Sequence, residues 1–315
     1  MAGRHAAIRC AVTPLPGSQP RDHFKPLNIP GDCDGLTFLA ALGRMVGNVP
    51  AAEWQVEFAR GRVVNRSQEP ILATQIVRAG QRYQHLFPKV TEPEVNGAIE
   101  ILYEDEALIV VNKPAPLPMH AGGRFYRNTL QHILNTAYHP QQPRPAHRLD
   151  ANTTGLVLVG RTRLVAGKLQ KQFAQGQVEK AYLVRVQGQL LKDDFHCAAP
   201  ISAGAAEQCS RTVDQHNGLA ARTEFRVLRR FADGTTLLEA RPLTGRTNQI
   251  RVHLWHLGFP ASGDPMYLPG KQLGRTQTLA IGDPPLCLQA ARVRFFHPCN
   301  LDPVEFNAPR PAWAQ

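Results

Sequence analysis

The chain has 315 residues, 43% of them hydrophobic, enough for one large core and a small one. It carries 36 Lys and Arg against 25 Asp and Glu, a formal charge of +11. That balance points to a polyanionic partner, because each neutralised phosphate releases counterions, and it fits nucleic acid better than a membrane: no apolar run spans a bilayer and no basic amphipathic helix stands out.

The six cysteines, Cys10, Cys33, Cys197, Cys209, Cys287 and Cys299, form no C-x-x-C pair and no tight Cys/His cluster. They are expected to be reduced thiols in a cytoplasmic protein that holds no metal. His196-Cys197 is a poor metal pair, since neighbours on a strand point to opposite faces. Gly122-Gly123-Arg124-Phe125 lacks Walker spacing, and no nicotinamide fingerprint is present, so no nucleotide cofactor is expected. The acid-free start, Met1 to Arg9, reads as a ragged terminus rather than a leader.

In chain order, residues 1–34 carry Pro14, Pro16, Pro20, Pro26 and Pro30 without periodicity, which predicts an extended or partly disordered arm. Residues 35–88 read as a small α/β unit. Leu39, Leu42 and Val46 mark one helix, Trp54 and Phe58 a second, and Arg60-Gly61-Arg62-Val63-Val64 a turn into a strand. Residues 89–97, with Pro93, suit a linker to a second domain over 98–315. There, Ile99–Leu102 and Leu108–Val111 are short strands, and Leu130, Ile133 and Leu134 mark a helix. Leu156-Val157-Leu158-Val159 is a buried strand, Val165, Leu169 and Phe173 a helix packed on the sheet, and 180–186 another strand. Residues 187–217 are polar and irregular. A hairpin follows across Ala232-Asp233-Gly234, and then a helix starting near Thr247 with Ile250, Leu254 and Leu257 buried.

The stretch of greatest chemical interest is His147-Arg148-Leu149-Asp150-Ala151-Asn152-Thr153-Thr154-Gly155, which places an acid on a loop just before the buried strand. Asp followed by Asn-Thr-Thr-Gly is also good turn chemistry, and on spacing alone the turn reading is favoured. The string resembles the His-Arg-Leu-Asp-x-x-Thr-Ser-Gly signature of the RluA family of pseudouridine synthases. Three further likenesses occur in family order: Lys113-Pro114 followed by His120, Lys180-Ala181-Tyr182, and Gly245-Arg246-Thr247-Asn248-Gln249-Ile250-Arg251-Val252-His253, with Asn248 where the family usually has His. The resemblance covers about residues 98–298. Helix, helix, basic turn and strand over 35–88 partly resemble an S4-like RNA-binding domain.

The resemblance implies an α+β fold. Its catalytic domain would be built on a mixed, mostly antiparallel sheet with flanking helices and a central cleft, preceded by the S4-like domain. It also implies isomerisation of uridine to pseudouridine in tRNA or rRNA, which breaks the N1 glycosidic bond and rejoins the turned uracil through C5. Asp150 would be the nucleophile, attacking sugar or base, Arg246 its cationic partner, and Tyr182 the residue stacked on uracil and assisting removal of the C5 proton. Arg148 would fill the gap left by the flipped base. Lys113, His120, His147, Arg251, Arg60 and Arg62 would contact RNA, with Arg66 beside them. No cofactor is implied, and a monomer is the default. An alternative is a catalytically idle RNA-binding or RNA-folding protein. A glycoside hydrolase would need a second carboxylate, for which Glu179 is the nearest candidate.

Overall fold

A computed structural model describes residues 1–204 and 210–315, so Cys209 lies outside the described residues. They form two compact units, one of Met1–Ser18 with Pro93–Gln315 and one of Gln19–Glu92. The elements run α1 (Ala2–Val12), β1 (Arg21–Asn28), α2 (Phe38–Met45), α3 (Ala51–Ala59), β2 (Val63–Val64) and β3 (Arg82–Val90). Then come β4 (Glu100–Glu104), β5 (Leu108–Lys113), α4 (Leu130–Ala137), β6 (Arg144–Pro145), β7 (Thr154–Gly160), α5 (Arg163–Ala174), β8 (Glu179–Gln187) and β9 (Asp194–Cys197). The chain closes with β10 (Thr223–Arg230), β11 (Thr235–Pro242), α6 (Gln249–His256), β12 (Tyr267–Leu268), β13 (Gln272–Leu273), β14 (Leu288–Phe296) and β15 (Pro303–Asn307).

The large unit is a ten-stranded sheet in the order β4-β5-β7-β14-β8-β11-β10-β9, with β6 beside β7 and β15 beside β14. Its ladders are antiparallel except for β14 against β7, so the sheet is mixed and mostly antiparallel. The continuous apolar run of β7 is explained by burial on both faces. Val157 and Val159 enter the core under α1 and α4, while Leu156 and Leu158 enter the one under α5. A third core packs α6, through Ile250 and Leu254, on β8 and β11. Among the described residues no helix is long and apolar enough to cross a membrane.

The small unit is a sheet in the order β1-β3-β2 with α2 and α3 against it, and its core holds Leu27, Phe38, Leu42 and Trp54. Two boundaries differ from expectation. Residues 1–34 are not an extended arm, and 35–88, 89–97 and 98–315 are not the units seen. Residues 2–12 form α1, whose Ile8 is buried and whose Ala7, Ala11 and Val12 pack on the core of the large unit. Residues 21–28 form β1 of the small unit. The prolines misled because Pro26 sits on an edge strand, where a missing N–H costs little. Residues 93–97 are no free linker either, since Val95 is buried in the core of the large unit.

Candidate active site

The Asp150 loop joins β6 to β7, which pair with each other, so both ends of the loop leave a fixed ladder. Inside it, the Thr153 N–H donates to the Asp150 carbonyl at 3.1 Å. The Ala151 carbonyl accepts from the Leu117 N–H at 2.9 Å and from Lys113 Nζ at 3.2 Å. Asn152 is buried; its amide donates to the Gln277 carbonyl at 2.9 Å and accepts from the Leu279 N–H at 3.0 Å. Gly155 has φ +108°, and a Cβ there would collide with the backbone of Ala290, so only glycine lets β14 lie parallel against the start of β7.

The loop forms one wall of a cleft of about 750 Å³, shared with β8 around Tyr182 and the segment from Arg241 to Arg251. Asp150 is partly open to it, with 25% of its side chain exposed. Arg251 Nη1 donates to Asp150 Oδ2 at 3.2 Å. Arg251 is itself buried and clamped from behind by Asp264, through Nε to Oδ2 at 2.7 Å and Nη2 to Oδ1 at 2.8 Å. Asp264 also accepts the N–H groups of Met266 at 2.9 Å and Tyr267 at 3.0 Å. Burial opposes the charge on Arg251, but the bonds to Asp264 and the charges of Asp264 and Asp150 outweigh it and hold its pKa above the usual value. The guanidinium is therefore a fixed cation whose Nη1 is shared between the Asp150 carboxylate and the Asn248 side-chain oxygen.

This corrects two expectations. Arg246, expected to pair with Asp150, instead donates through Nε to the Ala220 carbonyl at 3.0 Å and makes no ion pair among the described residues. Arg251, expected to touch RNA, fills the partner's place. One turn of α6 explains the exchange: Arg246 lies before the helix on the exposed wall, whereas Arg251 lies inside it on the buried face. The helix cap also differs from the expected Thr247. Asn248 holds that position at φ 57°, accepts from Arg251 Nη1 at 3.2 Å and donates to Tyr267 Oη at 3.0 Å. No site role was expected for Asp264 or Tyr267, and none beyond retained hydrogen bonding for Asn248. The tight packing point that sets Asp264, Gly263 at φ +72° with an added Cβ striking Pro285, exists only in the fold.

Tyr182 lines the cleft, half-buried, and its phenol pKa is raised by burial and then by the Asp150 charge, so it stays protonated near neutrality. Arg148 is exposed on the cleft and makes no ion pair among the described residues. His120 is exposed, and burial followed by the charge of Arg148 lowers its pKa.

Lys113 does not face solvent, contrary to a phosphate contact. It is fully buried and donates to the carbonyls of Pro114 and Leu117 at 2.9 Å and of Ala151 at 3.2 Å, while burial pulls its pKa down to about 7 against the opposing charge of Asp150. His147 is likewise engaged: its Nε2 accepts the Leu158 N–H at 3.1 Å, and burial, then the Lys180 charge, lowers its pKa to about 4. In the small unit, Arg62 and Arg60 reach Glu57 at 3.2 and 3.4 Å. Glu179 is exposed on the cleft lining.

Residues 107–256, which contain the Asp150 loop, Tyr182 and α6, match the family model described as RNA pseudouridylate synthase. The ribosomal large subunit pseudouridine synthase D of Nitrosomonas europaea is 33% identical over 307 residues, which cover 94% of this chain and 87% of that protein. The chain belongs to the RluA family of RNA pseudouridine synthases. Human pseudouridylate synthase RPUSD2 is 33% identical over 69% of this chain, which spans 40% of that longer protein. Among solved structures, human RNA pseudouridylate synthase domain containing 1 superposes with a TM-score of 0.56 at 26% identity, covering 68% of this chain and 84% of that one. The protein is thus an RNA pseudouridine synthase, an isomerase that turns uridine into pseudouridine in RNA.

Proposed function

We propose that Asp150 is the nucleophile of this isomerase and acts on a uridine flipped out of structured RNA. The observation that carries the reading is the Asp150–Arg251–Asp264 relay. It leaves one carboxylate at the cleft with a buried cation behind it, and that cation is prevented from swinging away by two bonds to a second acid. A carboxylate so held is aimed into the cleft, the condition a nucleophile needs before it meets the sugar or base. Tyr182 supplies a ring to stack on the uracil. Its raised pKa disfavours a phenolate, so stacking is its role ahead of proton abstraction. Arg148, exposed at the loop's rim with no ion pair among the described residues, is the group that fills the vacated base stack.

The substrate we propose is large-subunit ribosomal RNA in preference to tRNA, because the relative matched along 94% of this chain is named for that RNA. The small unit, with its two helices and the basic turn at Arg60 and Arg62, would serve as an S4-like RNA-binding module of a monomer working in the cytoplasm.

Incubating the purified protein with ribosomal RNA and tRNA transcripts, then mapping pseudouridine in each, tests both parts. The wild type is expected to modify a defined uridine in ribosomal RNA. Asp150→Asn is expected to abolish modification while RNA affinity stays within a few-fold of wild type. Modification that survives in Asp150→Asn would falsify the nucleophile assignment, and modification of tRNA alone would overturn the substrate.

A further inference from the structure

The cleft contains a second deep cation besides Arg251. Lys180 lies on β8 two residues before Tyr182, and alternation along a strand sends both side chains to the same face. It is half-buried on the cleft lining, and burial lowers its pKa. Its charge contributes to holding His147 neutral. It makes no hydrogen bond and no ion pair with any described residue, although the chain holds 25 acids. Burying an ammonium without a partner is costly, and a fold retains one where a ligand supplies the missing charge. Arg251 cannot fill that need, because two carboxylates already occupy it. Two residues of strand separate Lys180 from Tyr182, about 7 Å along the chain, comparable to the reach from a nucleobase to the phosphate of its own nucleotide.

We propose that Lys180 is a phosphate-binding residue that anchors the RNA backbone beside the nucleotide whose base lies against Tyr182. The ligand is one phosphodiester, held as a point charge rather than by a bidentate fork. This rests on the reading of the Asp150–Tyr182 cleft as the place where the uridine enters.

The test is a binding measurement in the Asp150→Asn protein, so that no turnover intervenes. The probe is a single-stranded heptanucleotide with one central uridine, together with versions carrying one neutral methylphosphonate linkage at each position in turn. With Lys180 present, a neutral linkage flanking the uridine is expected to weaken binding about tenfold, the loss of one charge-assisted contact. Lys180→Met is expected to bind the fully charged probe about tenfold more weakly and to be indifferent to that same linkage. Its log Kd against log salt should be shallower by about one. Lys180→Arg should restore both the affinity and the linkage sensitivity.

An unchanged salt slope in Lys180→Met, or a Lys180 protein that loses the same affinity at every linkage, overturns the proposal. The second readout needs no Lys180 variant, so a misfolded Lys180→Met leaves the idea testable. Modification persisting in Asp150→Asn would sink the nucleophile reading alone, because the linkage map reports the phosphate contact independently of turnover.

Discussion

At the level of single residues, the decisive feature is which arginine meets Asp150. Arg251 is 5% exposed and bonded to two acids, whereas Arg246 rests on a backbone carbonyl at the cleft wall. Replacing each with Met should therefore give different losses. Arg251→Met removes the cation that holds Asp150 and leaves Asp264 buried and unpaired, at a cost of about 3–5 kcal/mol in stability. It should also lower kcat severely. Arg246→Met should leave kcat within a few-fold and raise KM for RNA, because an exposed cation on the wall can contribute only to substrate binding. Steady-state kinetics with thermal melts separate the two, and a larger kcat loss in Arg246→Met would reverse the assignment. Asn248 shows how a departure from the family string is absorbed: its amide bridges Arg251 and Tyr267, tasks that need hydrogen bonds but no titration.

At the level of elements, the junction of β6 and β7 gives the loop a pH limit. His147 can accept the Leu158 N–H only while neutral, and burial with the nearby Lys180 charge puts its folded pKa at about 4 against an ordinary 6.5. Between those values the unfolded chain binds the proton and the folded chain does not, so stability is lost as pH falls through that window. The full shift corresponds to about 3 kcal/mol. Urea melts between pH 7 and pH 4 should show this loss, and His147→Gln should flatten it, starting from a lower stability at pH 7. A wild-type curve unchanged over that range would refute the burial argument.

These same elements show what could be read from sequence. The strand at 156–159 and the helices at 130–137 and 163–174 were legible because two-sided burial and 3.6-residue periodicity are local signals. The acid was legible because its whole string is contiguous. The Arg251–Asp264 clamp was not, since it closes only when α6 and the turn at Gly263 fold against each other. Lys113 reads as an exposed cation in sequence; that three backbone carbonyls would claim it is a fact of the loops around it.

At the scale of the whole molecule, the small unit is an insertion into the large one, and a single buried side chain fastens both of its junctions. Asn128 accepts the Gly17 N–H at 2.8 Å and donates to the Pro93 carbonyl at 2.8 Å, so the chain leaves and re-enters the large unit at one point. Helix α1, although it precedes the insertion, packs on α4 and buries Ile8 in the catalytic core. Removing the first 92 residues would therefore strip apolar cover from that core, whereas removing only 19–92 would not. Replacing Gln19–Glu92 with a short Gly-Ser linker should give a protein that folds cooperatively and retains the Asp150 relay, because closing a short loop between neighbouring ends costs little. If the small unit binds RNA, the excised protein should keep its single-turnover rate at saturating RNA while its affinity falls and its salt dependence becomes shallower, since fewer cations remain to displace counterions. The matching truncation of residues 1–92 should melt at a markedly lower temperature. Equal RNA affinity before and after excision would remove RNA binding from the small unit and leave recognition to the cleft.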